Sequence, residues 1–182
     1  MIPGFIPGYF YCALVNVLEL GLFHLYFGGE DMLEWQLKEF NQLSLVELYA
    51  IIQLREQIFV VEQQAIYLDA DGADLTALHL MLWDDVQLVA YARILAPDAA
   101  GVVHFGRVCV RNEARKNSIG RQLVLKVLAE IQLRYVDAVV IISAQKYLQE
   151  FYQALGFTAI STDYLTEDGI LHLDMQLNKP RP

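Results

Sequence analysis

The stretch VVHFGRVCVRNEARKNSIGRQLVLKVLAEI, residues 102–131, decides the fold. Residues 102–110 are a β-branched and aromatic run with the character of a strand, and residues 120–134 carry helical apolar spacing. Between them lies RKNSIG, Arg115 to Gly120, which puts small side chains and two cations where the free N–H groups and the dipole of a starting helix point outward. Such a turn can cradle a diphosphate. Gly120 lets a phosphate come close to the backbone, while Arg115, Lys116 and Arg121 add positive charge to a protein that is otherwise acidic. By spacing alone the turn is equally a plain connection, because a strand-to-helix turn with a glycine occurs throughout α/β proteins.

Upstream, residues 33–40 alternate as a strand, and residues 45–63 follow as a helix opened by Ser44 as N-cap with Glu47 three residues on, a capping box. Residues 65–77 form an Asp-rich loop. Two strands, 78–84 and 86–96, meet tightly at Asp84 and Asp85 as a hairpin, and Pro97 to Gly101 make a turn. Downstream, residues 138–144 (AVVIISA) read as a buried parallel strand, 147–155 as a short helix stopped by Gly156, and 157–162 and 170–178 as closing strands. This order predicts an α/β (α+β) domain, a mixed sheet covered by helices.

The chain has 182 residues, the length of one ordinary domain, with 55% hydrophobic and 19% charged residues and a net charge of −9. No Lys/Arg run is present, which argues against nucleic acid as a partner, and the acidity suits an amine-bearing one. Cys12 and Cys109 lie far apart in apolar runs, so neither a disulfide framework nor a metal site is legible, and a reduced, cytoplasmic protein is expected. Mean hydropathy is nonetheless positive, at +0.32. Much of that comes from residues 1–31, which hold no Lys or Arg and only Glu19, Glu30 and Asp31 as charges. This segment lacks the cationic start of a secretory signal. It is expected to be an extension outside a domain spanning 32–182, with membrane contact through residues 5–27, or an added core element, as the alternatives.

At residues 115–120 the sequence resembles the acetyl-coenzyme A motif of the GNAT N-acetyltransferase superfamily, Gln/Arg-x-x-Gly-x-Gly/Ala, through Arg115, Ile119 and Gly120, with Ser118 where the first glycine usually stands. KYLQEFYQALGF (146–157) is similar to the family's F-Y-x-x-x-G-F segment. The likeness narrows to the ElaA-like branch through LREQIFVVEQQAIYLDADGADL (54–75), His79, GRVCV, Ala144-Gln145 and GILHLDM (169–175).

The resemblance implies a GNAT fold in which strands 102–110 and 138–144 run parallel and splay apart, with the pantetheine arm of acetyl-coenzyme A in the gap. Val108, Cys109 and Val110 would flank the arm, and Lys116, Asn117, Ser118 and Arg121 would join Arg115, Ile119 and Gly120 around the diphosphate. It implies acetyl transfer to a primary amine by direct attack in a ternary complex, without metal. Tyr152 is then the acid that protonates the leaving thiolate, and Glu62 the first choice of base. Arg55, Asp69, Asp71, Asp74, His79 and His172 are candidates for the acceptor side, the aspartates as holders of a cationic acceptor. Cys109 reads as core rather than as a nucleophile. A non-catalytic coenzyme A-binding module and a membrane-tethered acyltransferase are the competing functions, and a homodimer is left open.

Overall fold

Ser44 accepts a hydrogen bond from the Glu47 amide while the Glu47 carboxylate accepts from the Ser44 N–H at 2.8 Å, so the expected capping box starts helix α1, Leu45–Arg55. The computed structural model describes residues 33–166 and 169–178; the expectations for residues 1–31 fall outside the described residues. Glu47 also meets Lys38 at 2.5 Å, tying α1 to strand β1, Leu33–Glu39. The helix predicted to run to residue 63 changes its winding at Glu56. Residues Glu56–Glu62 are π-helical, and the Gln63 amide donates back to the Ile58 carbonyl. A π turn inserts an extra residue per turn and is concentrated near functional sites. Nothing in side-chain periodicity distinguishes it from a continued α-helix.

Strands β2 (Leu78–Asp84), β3 (Gln87–Ile94) and β4 (Val102–Val110) continue the sheet antiparallel from β1. The β2–β3 hairpin turns on Asp85 at φ 51°, a left-handed conformation that Asp tolerates better than most residues. Helix α2, Ile119–Arg134, then crosses to β5, Val139–Gln145, which lies parallel to β4. A 3₁₀ turn at Lys146–Leu148 leads into α3, Gln149–Gln153, and Gly156 at φ 94° ends that helical segment. Strands β6 (Phe157–Ala159), β7 (Tyr164–Leu165) and β8 (Leu171–Leu177) complete an eight-stranded sheet in the order β1-β2-β3-β4-β5-β8-β6, with β7 on β8. The expected strand over 157–162 is thus shorter than predicted. A short strand, β7, follows it and pairs with β8.

The sheet is buried on both faces. On one side Leu80, Leu82, Ala90, Ala92 and Ile94 pack against Leu123, Val124 and Val127 of α2. On the other, Met81, Trp83, Tyr91 and Cys109 pack against Ile51, Leu54 and Ile58. Alternate residues of β2 therefore serve opposite cores, which is why this strand reads as an unbroken apolar run.

Candidate active site

Two irregularities in β4 create the site. The parallel pairing of β4 with β5 covers only Val102 to His104 against Val139 to Ile141, and then the strands part. On the β3 side, Tyr91 pairs with Cys109 and Arg93 with Gly106, so two residues, Arg107 and Val108, stand opposite Ala92 alone. This is a β-bulge, and it bends β4 away from β5. Arg107 carries the bulge at φ 52°, a conformation that is strained for a side-chain-bearing residue. A cavity of about 430 Å³ opens in the gap, walled by Phe105 to Val108 on one side and Ile142 to Gln145 on the other.

Tyr152 lines this cavity, 6% exposed, with its ring edge-on to Phe151 and Phe157. Burial pushes its phenol well above the ordinary tyrosine range, so it is held protonated. His172 also lines the cavity; its Nδ1 lies 2.9 Å from the Thr166 hydroxyl and 2.9 Å from the Ile170 carbonyl oxygen. Asp174, two residues on, accepts from the Tyr164 hydroxyl at 2.6 Å.

At the end of β4, a 3₁₀ segment, Asn112–Asn117, leads into Ser118 at φ 58° and then into α2. The left-handed backbone at Ser118 is one that glycine adopts without strain. No side chain caps the helix and no acid sits in its first turn, so Ile119, Gly120 and Arg121 start α2 without a competing anion. The Ile119 side chain is buried in the core, and Val110 lies 3.8 Å from the point a Cβ on Gly120 would occupy. Lys116 places its backbone in the 3₁₀ segment. Arg115 donates from Nε to the Val110 carbonyl at 2.9 Å and pairs through both terminal nitrogens with Glu62, at 2.5 and 2.8 Å. The candidate base and a candidate diphosphate ligand therefore hold each other. Arg115 draws the Glu62 carboxyl below the usual carboxylate range, which weakens it as a base while the pair persists.

The acidic loop has its own partners. Arg55 meets Asp69 at 2.7 Å and Asp74 at 2.7 Å; Arg93 meets Asp74 at 3.0 Å and Asp71 at 2.7 Å; Arg107 meets Asp71 at 3.2 Å and Asp69 at 2.6 Å. Three arginines and three aspartates thus alternate in a closed ring. Burial opposes the charge on Arg55, yet its hydrogen bond to Asp74 and the field of the acids raise its pKa further. Arg93 holds the Asp71 carboxyl down at about 2. The aspartates expected to grip a cationic acceptor are each already matched by two internal cations, and Arg93 and Arg107, which the sequence reading passed over, line the cavity with His104 and Tyr67. One signal for them was present: a glycine inside a strand pattern, as at Gly106, marks a bulge or a close approach.

His79 is fully buried, with Nδ1 2.8 Å from the Tyr91 hydroxyl and Nε2 3.0 Å from the Asp74 carbonyl, and burial lowers its pKa; its place is structural. Val108 lines the cavity. Cys109 turns instead toward the α1 core, 3% exposed, and burial pushes its thiol up to about 12, which fits the core reading. Among the described residues no cluster of three or more His, Cys, Asp or Glu is arranged to hold a metal, and no helix is long and apolar enough to cross a membrane.

The sheet thus opens between two parallel strands, beside a helix start free of acids. The family model described as "Acetyltransferase (GNAT) domain" matches residues 51–179. The protein ElaA of Escherichia coli is 44% identical over 147 residues, which cover 79% of this chain and 95% of ElaA. Its crystal structure superposes with a TM-score of 0.75, covering 80% of this chain and 99% of ElaA. An acyl-CoA N-acyltransferase from Pseudomonas aeruginosa superposes at 0.76 with 42% identity, covering 80% and 99% of the two chains. An aminoglycoside 6'-N-acetyltransferase complexed with coenzyme A, at 16% identity and a TM-score of 0.62 over 81% and 99%, shares the fold. The chain belongs to the GNAT acetyltransferase family, in its ElaA-like branch.

The ring makes a pH prediction. Asp71 is depressed in the folded state, so the stability it contributes is complete above about pH 4 and is lost as the pH falls toward about 2. Asp71→Asn should flatten the acid limb of a plot of urea midpoint against pH in that window and lower the midpoint at neutral pH. An acid limb unchanged from wild type would remove Asp71 from the account.

Proposed function

We propose that this protein transfers an acetyl group from acetyl-coenzyme A to a primary amine of a small molecule or peptide by direct attack in a ternary complex, and that residues 32–182 are the unit that does so. The observation that carries the reading is the opening of β4 from β5 after His104 and Ile141, with protonated Tyr152 in its wall. The Pseudomonas relative's description as an acyl-CoA N-acyltransferase points the same way.

In this reading the pantetheine arm lies between Phe105–Val108 and Ile142–Gln145, where the strands no longer pair with each other. The diphosphate sits at the start of α2 with Arg115, and the chain's own main-chain N–H groups near Val108 polarise the acyl carbonyl. The amine nitrogen attacks that carbonyl carbon; an N–C bond forms and the C–S bond breaks. The departing thiolate takes its proton from the Tyr152 hydroxyl. The proton lost by the amine passes, through water, to Glu62. Arg115 has two claimants, Glu62 and the diphosphate. When it turns to the diphosphate, the Glu62 carboxyl recovers toward its ordinary pKa and becomes the better base.

Tyr152→Phe should lower kcat by about 100-fold or more while leaving acetyl-coenzyme A affinity within about threefold, because the hydroxyl acts on the leaving group rather than on binding. Thiol release and calorimetric titration measure the two, and unchanged turnover would assign the proton to water instead. Glu62→Gln should tighten coenzyme A binding by up to about fivefold, since the exposed pair that competes for Arg115 is gone. It should also remove one limb of the pH–rate profile. If binding and profile both match wild type, Glu62 has no part in the site.

A further inference from the structure

We propose that the acceptor amine also carries a carboxylate, bound by the guanidinium of Arg107 with Arg93 behind it; this rests on the acyl-transfer reading above and names its substrate class. Besides Tyr152 and Val108, the cavity is lined by Arg93, Arg107, His104 and His172, with Tyr67 and Thr166. Among the described residues no Asp or Glu lines it. The ring explains why: each of its three carboxylates is matched by two guanidiniums, so the acids are balanced within the protein and the arginines are what the cavity meets.

The guanidiniums are not exhausted by the ring. Arg93 is 5% exposed, lines the cavity, and has a buried Nε with no hydrogen-bond partner among the described residues. Arg107 Nε is 2.6 Å from Asp69 without hydrogen-bond geometry and Nη2 reaches Asp71, which leaves Nη1 without a protein acceptor among the described residues. Its guanidinium also lies over the Tyr67 ring, 5.8 Å from the centroid. Arg107 carries the strained φ of 52° in the bulge, and its side chain lines the cavity.

A planar guanidinium edge is the natural partner of a carboxylate. A diamine would instead bring a second ammonium toward two arginines, which have only donors to offer it. The acidic overall composition therefore misleads about the acceptor. The ring as a whole is neutral, but the charged side chains it presents to the cavity are arginines.

Matched amines of similar basicity that differ by the carboxylate test this on the full-length chain: γ-aminobutyrate against propylamine, and lysine against cadaverine, with thiol release as the readout. A hydrogen-bonded charge partner predicts about a ten- to hundredfold higher kcat/KM for the acid of each pair. Arg107→Gln should erase most of that preference and Arg107→Lys should keep part of it, with circular dichroism establishing that both are folded. Equal or better turnover of propylamine and cadaverine overturns the proposal while leaving acyl transfer standing, and a preference for phosphoethanolamine over every carboxylate overturns it in favour of a phosphate ligand. A binding arm needs no turnover: N-acetyl-γ-aminobutyrate should raise the Tm of the wild-type protein and N-propylacetamide should not. If no amine releases thiol but this shift appears and depends on Arg107, the acyl-transfer reading fails and the carboxylate site stands. If the acid gives no shift, the carboxylate site fails.

Discussion

The closed ring of Arg55, Asp69, Arg107, Asp71, Arg93 and Asp74 is the constraint on which the site depends. It joins the end of α1, the loop before β2, the end of β3 and the bulge of β4. Charge removed from water is costly, and a buried pair is worth having only when its partners are well placed and fully matched. Here every member has two opposite neighbours. The loop it organises has little apolar anchorage of its own, since Ile66, Leu68 and Leu75 are all exposed. Ionic contacts, together with the Tyr67 hydroxyl donating to Asp69 at 2.8 Å, fix its path.

From that ring the cavity follows. Arg107 reaches Asp69 and Asp71 from a left-handed position in mid-strand, a conformation that costs energy and persists only when its surroundings over-determine it. The extra residue bends β4, and the bend separates it from β5 after three pairs. One deformation therefore brings a guanidinium to the cavity wall and opens the gap alongside it. Across the opening, reciprocal amide hydrogen bonds of 3.1 Å between Gln63 and Gln145 link the end of the π-helical segment to the end of β5.

Much of this was legible beforehand, and the remainder has identifiable physical reasons. Local signals succeeded where the interaction is local: the Ser44–Glu47 box, the hairpin at Asp85, the stop at Gly156 and the turn into α2 are each set by neighbours within a few residues. The motif resemblance carried the fold, including the parallel pair. What stayed hidden is non-local. Asp69, Asp71 and Asp74 look like loop carboxylates open to a cation until Arg93 and Arg107, inside apolar strand runs, are brought to them by sheet pairing. Glu62 looks like a free helix-end base until Arg115, 53 residues away, meets it. The π turn over 56–62 differs from an α-helix by one residue per turn, a change that side-chain pattern does not register.

The central claim is that the ring holds the β4 bulge and hence the cavity, and hydrogen exchange on Asp69→Asn tests it most directly. The substitution keeps the shape of the side chain and removes the charge that links Arg55 to Arg107. The account predicts faster exchange confined to residues 66–76 and 105–109, with β1, β2 and α2 as slow as in the wild-type protein. Exchange that is unchanged in those two segments, or raised uniformly over the whole sheet, would contradict it.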